Sequence, residues 1–199
     1  MNKHNVKICG FCLTIIAILL ISGCSWIRIP DLPTYEVSTP IPLCIGIVLD
    51  DTPSSQAYGP AVIKNLMEMK VFESIIYPYR QDDKVDGILK VNISGSWKGH
   101  GRGVGFIIGL SLYTLSPFLG PSITGNHNVN IELTKSASQL VMKNNLHVET
   151  TISWGLDADT DEVSRKADGL QQRKIAIVIA ENLNAERSLI SKEFGKIRD

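Results

Sequence analysis

The residues at positions 21–24 combine small side chains, which favour proteolytic cleavage, with a thiol, which can be modified. They read Ile21-Ser22-Gly23-Cys24 in a chain of 199 residues. Small side chains before the cysteine let a protease grip extended backbone, and a thiol can carry a thioether-linked lipid. The tetrapeptide is therefore suited to cleavage, and its thiol to covalent modification.

The segment before this tetrapeptide has the pattern of a secretory signal peptide. Its head carries Lys3 and Lys7 and no acid, and an apolar run over residues 8–21 follows, broken only by Gly10 and Thr14. A cationic head, a short apolar stretch and a small-residue end are typical of such signals. The run is shorter than the roughly 20 residues that a membrane-spanning helix needs.

In this setting the tetrapeptide resembles the lipobox of bacterial lipoproteins, in which the cysteine is acylated and becomes the first mature residue. The resemblance implies that residues 1–23 are a lipoprotein signal peptide and that lipidated Cys24 anchors the protein in a membrane. In that family, aspartate after the cysteine retains the product in the inner membrane. Ser25 here resembles the outer-membrane pattern and implies an anchor on the periplasmic face of that membrane. The alternative is a plain signal anchor with a chance cysteine.

The charge of the mature chain argues against nucleic-acid binding. The 20 basic residues include Lys3 and Lys7, which leave with the signal peptide, so 18 remain against 20 acidic residues. A slight negative charge and the absence of a basic run exclude a nucleic-acid surface. The mature length of 199 less 23 residues is enough for one domain with a substantial core.

The cysteines exclude an intramolecular disulfide in the mature form. Cys9 and Cys12 leave with the signal peptide and Cys24 would carry lipid, so Cys44 alone remains. Because Cys44 lies in the apolar run Leu43–Leu49, it is predicted to be a buried core residue rather than a reactive thiol.

Hydrophobic periodicity predicts an α+β domain over residues 42–199, preceded by a proline-rich tether over residues 24–41. The predicted strands are Leu43–Leu49, Val71–Tyr79, Ile88–Trp97, Asn128–Thr134 and Leu140–Trp154. The predicted helices are Tyr58–Lys70 and about Gly169–Ser191, the latter with an alternative start near Asp159 or Thr160. We expect a two-layer sandwich, with two helices on one face of a mostly antiparallel sheet of four to five strands.

The order of these elements resembles the α/β lipoproteins of envelope assembly. These include the lipopolysaccharide-assembly lipoprotein and the periplasmic domain of the curli-secretion lipoprotein. The segment Val85–Gly95 is similar to their "AD-x-x-L-x-G-x-I" strand, with valine in place of alanine and asparagine where glycine is usual. The resemblance implies the same fold and a role in the cell envelope.

An apolar, glycine-rich insertion is predicted at residues 99–126. No Asp, Glu, Lys or Arg occurs from Gly103 to Ile131, and Gly101, Gly105 and Gly109 are spaced by four. Three interpretations remain open: a crossover that fills the open side of the sheet, an element that dips into a membrane or docks a partner, or a span, for which Gly103–Leu119 is short. The candidate contact residues are Phe106, Ile107, Ile108, Leu110, Tyr113 and Phe118.

No side-chain set with catalytic or cofactor-binding spacing is apparent. His100, His127 and His147 lack the spacing of metal ligands, and the acid pair Asp50-Asp51 occupies a predicted turn. We therefore predict no catalytic residues, no metal site and no cofactor, and a protein that is not an enzyme.

These observations predict a membrane-anchored lipoprotein that acts in envelope assembly or transport by binding a protein or polymer partner, with an oligomer as one arrangement. The alternative is a carrier of a lipid or other apolar ligand, with Gly103–Leu119 as the wall or lid of its site.

Overall fold

The computed structural model describes residues 27–35, 37–100, 121–135, 139–155 and 158–195, apart from the side chain of His100. These residues form six strands and three helices. The elements are β1 (Ile27–Arg28), β2 (Ile41–Leu49), α1 (Pro53–Glu68), β3 (Phe72–Ile76), β4 (Gly87–His100), β5 (Ser122–Lys135), β6 (Gln139–Trp154), α2 (Thr160–Ala185) and α3 (Arg187–Glu193).

The six strands form one open sheet in the order β1-β6-β5-β4-β2-β3. Strand β2 is parallel to both β3 and β4, and β1 is antiparallel to β6. The parallel pair β2–β3 follows from the helical crossover through α1, because a short turn cannot return the chain in the same direction. The α+β class is confirmed, and the sheet is mixed, with one strand more than the four to five predicted.

Helix α1 begins five residues before its predicted start at Tyr58. Thr52 caps it, because its Oγ1 accepts a hydrogen bond from the Ser55 N–H at 3.2 Å, and Pro53 occupies the first turn. A threonine followed by proline suits a helix start as well as a turn, which explains the difference.

Helix α2 begins at Thr160, as the alternative start predicted, rather than at Gly169. The Asp159 carboxylate accepts a hydrogen bond from the Asp161 N–H at 2.9 Å, and Asp161 and Glu162 place negative charge in the first turn. The predicted helix breaks at Glu186, after which α3 continues separately.

The hydrophobic core lies between one face of the sheet and the helices. Alternate residues of β4 and β5 are buried, as their sequence pattern predicts, and they pack with the apolar residues of the helices. The buried strand residues are Leu89, Val91 and Ile93 in β4 and Val129, Ile131 and Leu133 in β5. The remaining side chains of these strands point to the opposite face of the sheet, which we call the open face.

Cys44 does not lie in this core. Its side chain is only partly buried, and its thiol donates to the Lys84 carbonyl oxygen at 3.7 Å. Leu43 and Ile45, its neighbours in β2, are the buried residues. The prediction of a buried core cysteine was wrong because the apolar run alternates between two faces of the sheet.

Part of the predicted tether is attached to the core. Leu32, Tyr35 and Val37 pack against it, and the Tyr35 hydroxyl donates to the Ala180 carbonyl oxygen at 3.3 Å. Full burial of an apolar side chain contributes about 1.5–3 kcal/mol, and these partly buried side chains contribute less. The chain is therefore attached to the core from Leu32 onward.

The chain divides into two compact units. The described residues of the larger unit lie in 31–98, 125–150 and 167–195, and they include the whole hydrophobic core. The described residues of the smaller unit lie in 27–30, 99–100, 121–124, 151–155 and 158–166. In the smaller unit, Ile27 pairs with Trp154, and the hydroxyls of Thr124 and Thr151 hydrogen bond at 3.0 Å.

Replacement of Gly169 by alanine is expected to stabilise the protein. Gly169 is exposed within α2, and no atom lies within 4 Å of an added Cβ. Alanine in a helix interior is favoured over glycine by about 1 kcal/mol, so urea unfolding of Gly169→Ala should give a free energy higher by that amount. The control Gly195→Ala should lose stability, because Gly195 has a φ of +65°. A less stable Gly169→Ala would contradict the helix.

Candidate functional site: the open face of the sheet

The open face carries polar side chains from three neighbouring strands. Because successive strand residues point to opposite sides, the residues between the buried ones line this face. They include Lys90, Asn92 and Ser94 in β4, Asn128, Asn130 and Glu132 in β5, and Lys143, Asn145 and His147 in β6. All nine are exposed or only partly buried.

Side-chain contacts fix the register of β5 against β6. Lys143 forms an ion pair with Glu132, and His147 Nδ1 lies 3.1 Å from Asn128 Oδ1. The residue number therefore rises along β6 while that of its neighbour in β5 falls by the same amount, which is the pattern of an antiparallel pair. Asn145, midway between Lys143 and His147, consequently lies opposite Asn130.

Strand β4 is aligned with β5 in the same manner. The Thr134 hydroxyl donates to the Ile88 carbonyl oxygen at 3.3 Å. The Ser94 hydroxyl donates to the Asn128 carbonyl oxygen at 3.4 Å. This antiparallel register places Asn92 opposite Asn130 and Lys90 opposite Glu132.

Two rows of side chains thus cross the open face. The amide row consists of Asn92, Asn130 and Asn145, at the spacing of about 4.8 Å between neighbouring strands. Asp50 lies at one end of it and accepts a hydrogen bond from the Asn92 amide nitrogen. Because an ionised carboxylate only accepts hydrogen bonds, this contact fixes the orientation of the Asn92 amide.

The charged row consists of Lys90, Glu132 and Lys143, beside the amide row. The hydrogen bond and charge of Lys143, with the charge of Lys90, hold the pKa of Glu132 below its usual value. The charged row lines a depression of about 590 Å³ together with Asn92 and Asn130 of the amide row, and residues 48–51 border it. Lys143 is thus already paired with Glu132, and Lys90 contributes a smaller attraction to the same carboxylate.

The amide row is not explained by the needs of the fold. Asparagine is depleted in strands, because its side chain competes for backbone hydrogen bonds and packs poorly on a pleated surface. Asn92, Asn130 and Asn145 nevertheless occupy three adjacent strands in register. Their placement therefore makes the amide row a candidate recognition surface.

A buried polar cluster lies on the other face of the same strands, under the helices. The Trp97 indole N–H donates to the Tyr58 hydroxyl at 2.9 Å, and that hydroxyl donates to Asp168 at 2.9 Å. Gln171 Nε2 lies 3.0 Å from His127 Nδ1. Burial raises the pKa of Tyr58, and the contact with Asp168 raises it further. Burial lowers the pKa of His127, and the charge of Asp168 opposes that shift.

Two glycines leave room for this cluster. A Cβ at Gly125 would lie 2.8 Å from the Trp97 ring, and a Cβ at Gly95 would lie 2.7 Å from the His127 Cα. His127, Gln171 and Thr150 each retain one buried polar atom without a hydrogen-bond partner. These contacts link α1 and α2 to the sheet at a fixed register.

Sequence reasoning missed this cluster because the predicted strand begins at Asn128, one residue after His127, whereas β5 begins at Ser122. The alternation of buried residues indicated its position, because His127 lies two residues before Val129 and four before Ile131 and so points to the same buried face. Of the three histidines weighed as metal ligands, His127 lies in the cluster and His147 on the open face, and the side chain of His100 lies outside the described residues.

Protonation of His127 is expected to destabilise the protein in mild acid. Burial lowers the pKa of folded His127 below the ordinary value of about 6.5, so the unfolded chain binds the proton more readily. The unfolding free energy should fall as pH drops below about 6.5. Asp168 and Tyr58 are the titratable groups that contact this cluster, and Asp168 opposes the shift.

Urea unfolding at about pH 8 and about pH 5.5 measures this effect, within the range where histidine titrates. Wild type should lose more stability on acidification than His127→Gln. The control His147→Gln, on the exposed face, should keep the wild-type pH dependence. Equal losses in wild type and His127→Gln would show that another group carries the effect.

The predicted lipidation and contact residues cannot be compared with this geometry. Cys24 and the candidate contact residues between Phe106 and Phe118 lie outside the described residues. Within the described part of the chain, no helix is long and apolar enough to cross a membrane. Among the same residues, no group of three or more His, Cys, Asp or Glu side chains could hold a metal ion.

No model of a known protein family matches the chain, and no curated protein does. The structure aligns with a minor lipoprotein from Acinetobacter baumannii over 75% of this chain and 96% of that one, at 9% identity and a TM-score of 0.48. It also aligns with a neuraminyllactose-binding hemagglutinin homolog from Helicobacter pylori, over 83% of this chain and 99% of that one, at 12% identity and a TM-score of 0.45. A third alignment, with uncharacterized lipoprotein B from Nitrosomonas europaea, covers 81% of this chain and 97% of that one, at 11% identity and a TM-score of 0.45. Each alignment covers most of both chains at low sequence identity, and two of the three aligned proteins are lipoproteins by name.

Proposed function

We propose that this protein is a non-enzymatic lipoprotein of the cell envelope that binds a protein or polymer partner through the open face of its sheet. The observation that supports the proposal most is the amide row of Asn92, Asn130 and Asn145 on a face that the helices leave uncovered. Such side chains reduce strand propensity and offer hydrogen bonds to a partner.

The lipid anchor in this proposal rests on the tetrapeptide that ends at Cys24. Attachment of more than one acyl chain gives stable membrane binding, at about 0.8 kcal/mol for each buried methylene. Since Leu32 packs against the core, only residues 24–31 separate it from the lipid. That segment spans at most about 28 Å when extended, so the open face acts close to the periplasmic surface of the outer membrane.

Native mass spectrometry of the full chain, released from its own membranes in mild detergent, tests this function. Wild type should carry added mass from a partner, and Asn130→Arg should lose it, because arginine would crowd the amide row. The control Ser188→Arg adds the same charge on exposed helix α3 and should keep the partner.

Two results would contradict the proposal. A wild-type chain of unmodified protein mass apart from its anchor would show that no stable partner is bound. An added mass of one lipid, retained by Asn130→Arg, would instead support the alternative function of an apolar-ligand carrier.

A further inference from the structure

We infer that the partner of the open face is a neutral, hydroxyl-rich glycan strand, which lies across β4, β5 and β6 along the amide row. This inference rests on the proposed function and specifies the chemical class of the partner. It follows from three properties of the face: its hydrogen-bonding groups, its amino-acid composition and its balance of charge.

The hydrogen-bonding groups match hydroxyls. Each asparagine amide has two N–H donors and a carbonyl acceptor, and a hydroxyl group both donates and accepts. Asp50 already accepts from the Asn92 amide nitrogen, which leaves Asn92 one N–H and its carbonyl oxygen. The amide row repeats this group at the strand spacing of about 4.8 Å. A polymer with hydroxyls at regular intervals can therefore meet successive amides of Asn92, Asn130 and Asn145.

The composition of the face does not favour a protein partner. The core of a protein interface is enriched in aromatic residues, Met and Arg and depleted in Lys, Glu, Asp and Ser. The nine described open-face positions in β4, β5 and β6 hold none of the enriched types, and they include Lys90, Ser94, Glu132 and Lys143.

The charge of the face does not favour a charged polymer. Lys143 forms an ion pair with Glu132, which also attracts Lys90. Around the depression these two lysines face three carboxylates, those of Glu132, Asp50 and Asp51, so no excess of positive charge is left for a phosphate or sulfate group. Asp50 and Asp51 border the same depression and would repel a polyanion. The two lysines would repel a polycation. A neutral polymer is repelled by neither the carboxylates nor the lysines of this face.

Membrane anchoring suits such a partner. Many lipid-anchored copies facing one long strand strengthen the binding of each copy, because the later contacts occur at high effective concentration.

Cosedimentation of the full chain in detergent micelles with insoluble glycans tests the inference. The probes are chitin and unmodified cellulose, which are neutral, and carboxymethyl and diethylaminoethyl cellulose, which carry opposite charges. Wild type should pellet with at least one neutral glycan, with little dependence on salt, since no ion pair is required.

Matched variants assign the binding to the amide row. The double variant Asn92→Ala and Asn130→Ala should bind at least tenfold more weakly, and Ser188→Ala on α3 should bind as wild type does. Circular dichroism verifies that the double variant is folded, and Asn145→Ala, at an exposed position, repeats the test with one change.

Three outcomes would overturn the inference: failure to bind either neutral glycan, binding only to charged cellulose with loss in salt, or equal binding by wild type and the folded double variant. If one of these occurs while Asn130→Arg still loses a partner in native mass spectrometry, the glycan inference fails and the proposed function stands. If wild type also has no partner there, both fail.

Discussion

Gly95→Ala is expected to destabilise the protein by at least about 3 kcal/mol, at the upper end of the range for overpacked cores. An added Cβ would lie 2.2 Å from the Asn126 carbonyl oxygen and 2.7 Å from the His127 Cα. Both atoms belong to the backbone of β5, so a side-chain rotation cannot relieve the clash. The strands must separate, and the separation disturbs both the buried polar cluster and the register of the open face.

Thermal and urea unfolding, followed by circular dichroism, measure this loss. The matched control is Gly99→Ala in the same strand, where no atom lies within 4 Å of an added Cβ, and its stability should change by less than about 0.5 kcal/mol. Because domains have only about 5–15 kcal/mol of stability, Gly95→Ala should show a clearly lower midpoint. A Gly95→Ala variant as stable as Gly99→Ala would contradict the close pairing of β4 with β5.

Cys24→Ala is expected to abolish lipid attachment. The thiol of Cys24 is the atom that would carry the lipid, and alanine has no nucleophile to replace it. Radiolabelled palmitate should therefore enter wild type and not Cys24→Ala, and the variant should leave the membrane fraction because acyl chains provide the anchoring energy.

Cys44→Ala is the control for this experiment. Cys44 is the one free thiol among the described residues, and its replacement should leave the palmitate signal unchanged. Equal labelling of wild type and Cys24→Ala would exclude lipidation at this position, and the open face would then require another route to the membrane.

The strands were largely predictable from sequence because burial acts on alternate residues. Leu89, Val91 and Ile93 point to the core as their spacing predicts, and Lys90 and Asn92 point away. Strand β1 was missed because its two residues lie in the predicted tether and carry no alternation. The early part of α1 was missed because its cap has the composition of a turn.

The candidate site could not be predicted from the same pattern. The sequence places Asn92, Asn130 and Asn145 on strands, but their alignment depends on strand order and register. Those properties depend on how strands that are separated along the chain bury their apolar residues together in one core. The buried polar cluster was hidden for a related reason, since Gln171 and Tyr58 lie on separate helices that only the packing brings to His127.

Photo-crosslinking in intact membranes tests the role of the open face most directly. A photoreactive amino acid replaces Asn130 on the open face or, in the control, Lys64 on the exposed side of α1. Only the residue that contacts the partner can react with it. Position 130 should give high-mass adducts of the full chain and position 64 should give none. Adducts at position 64, with none at position 130, would contradict a binding role for the open face.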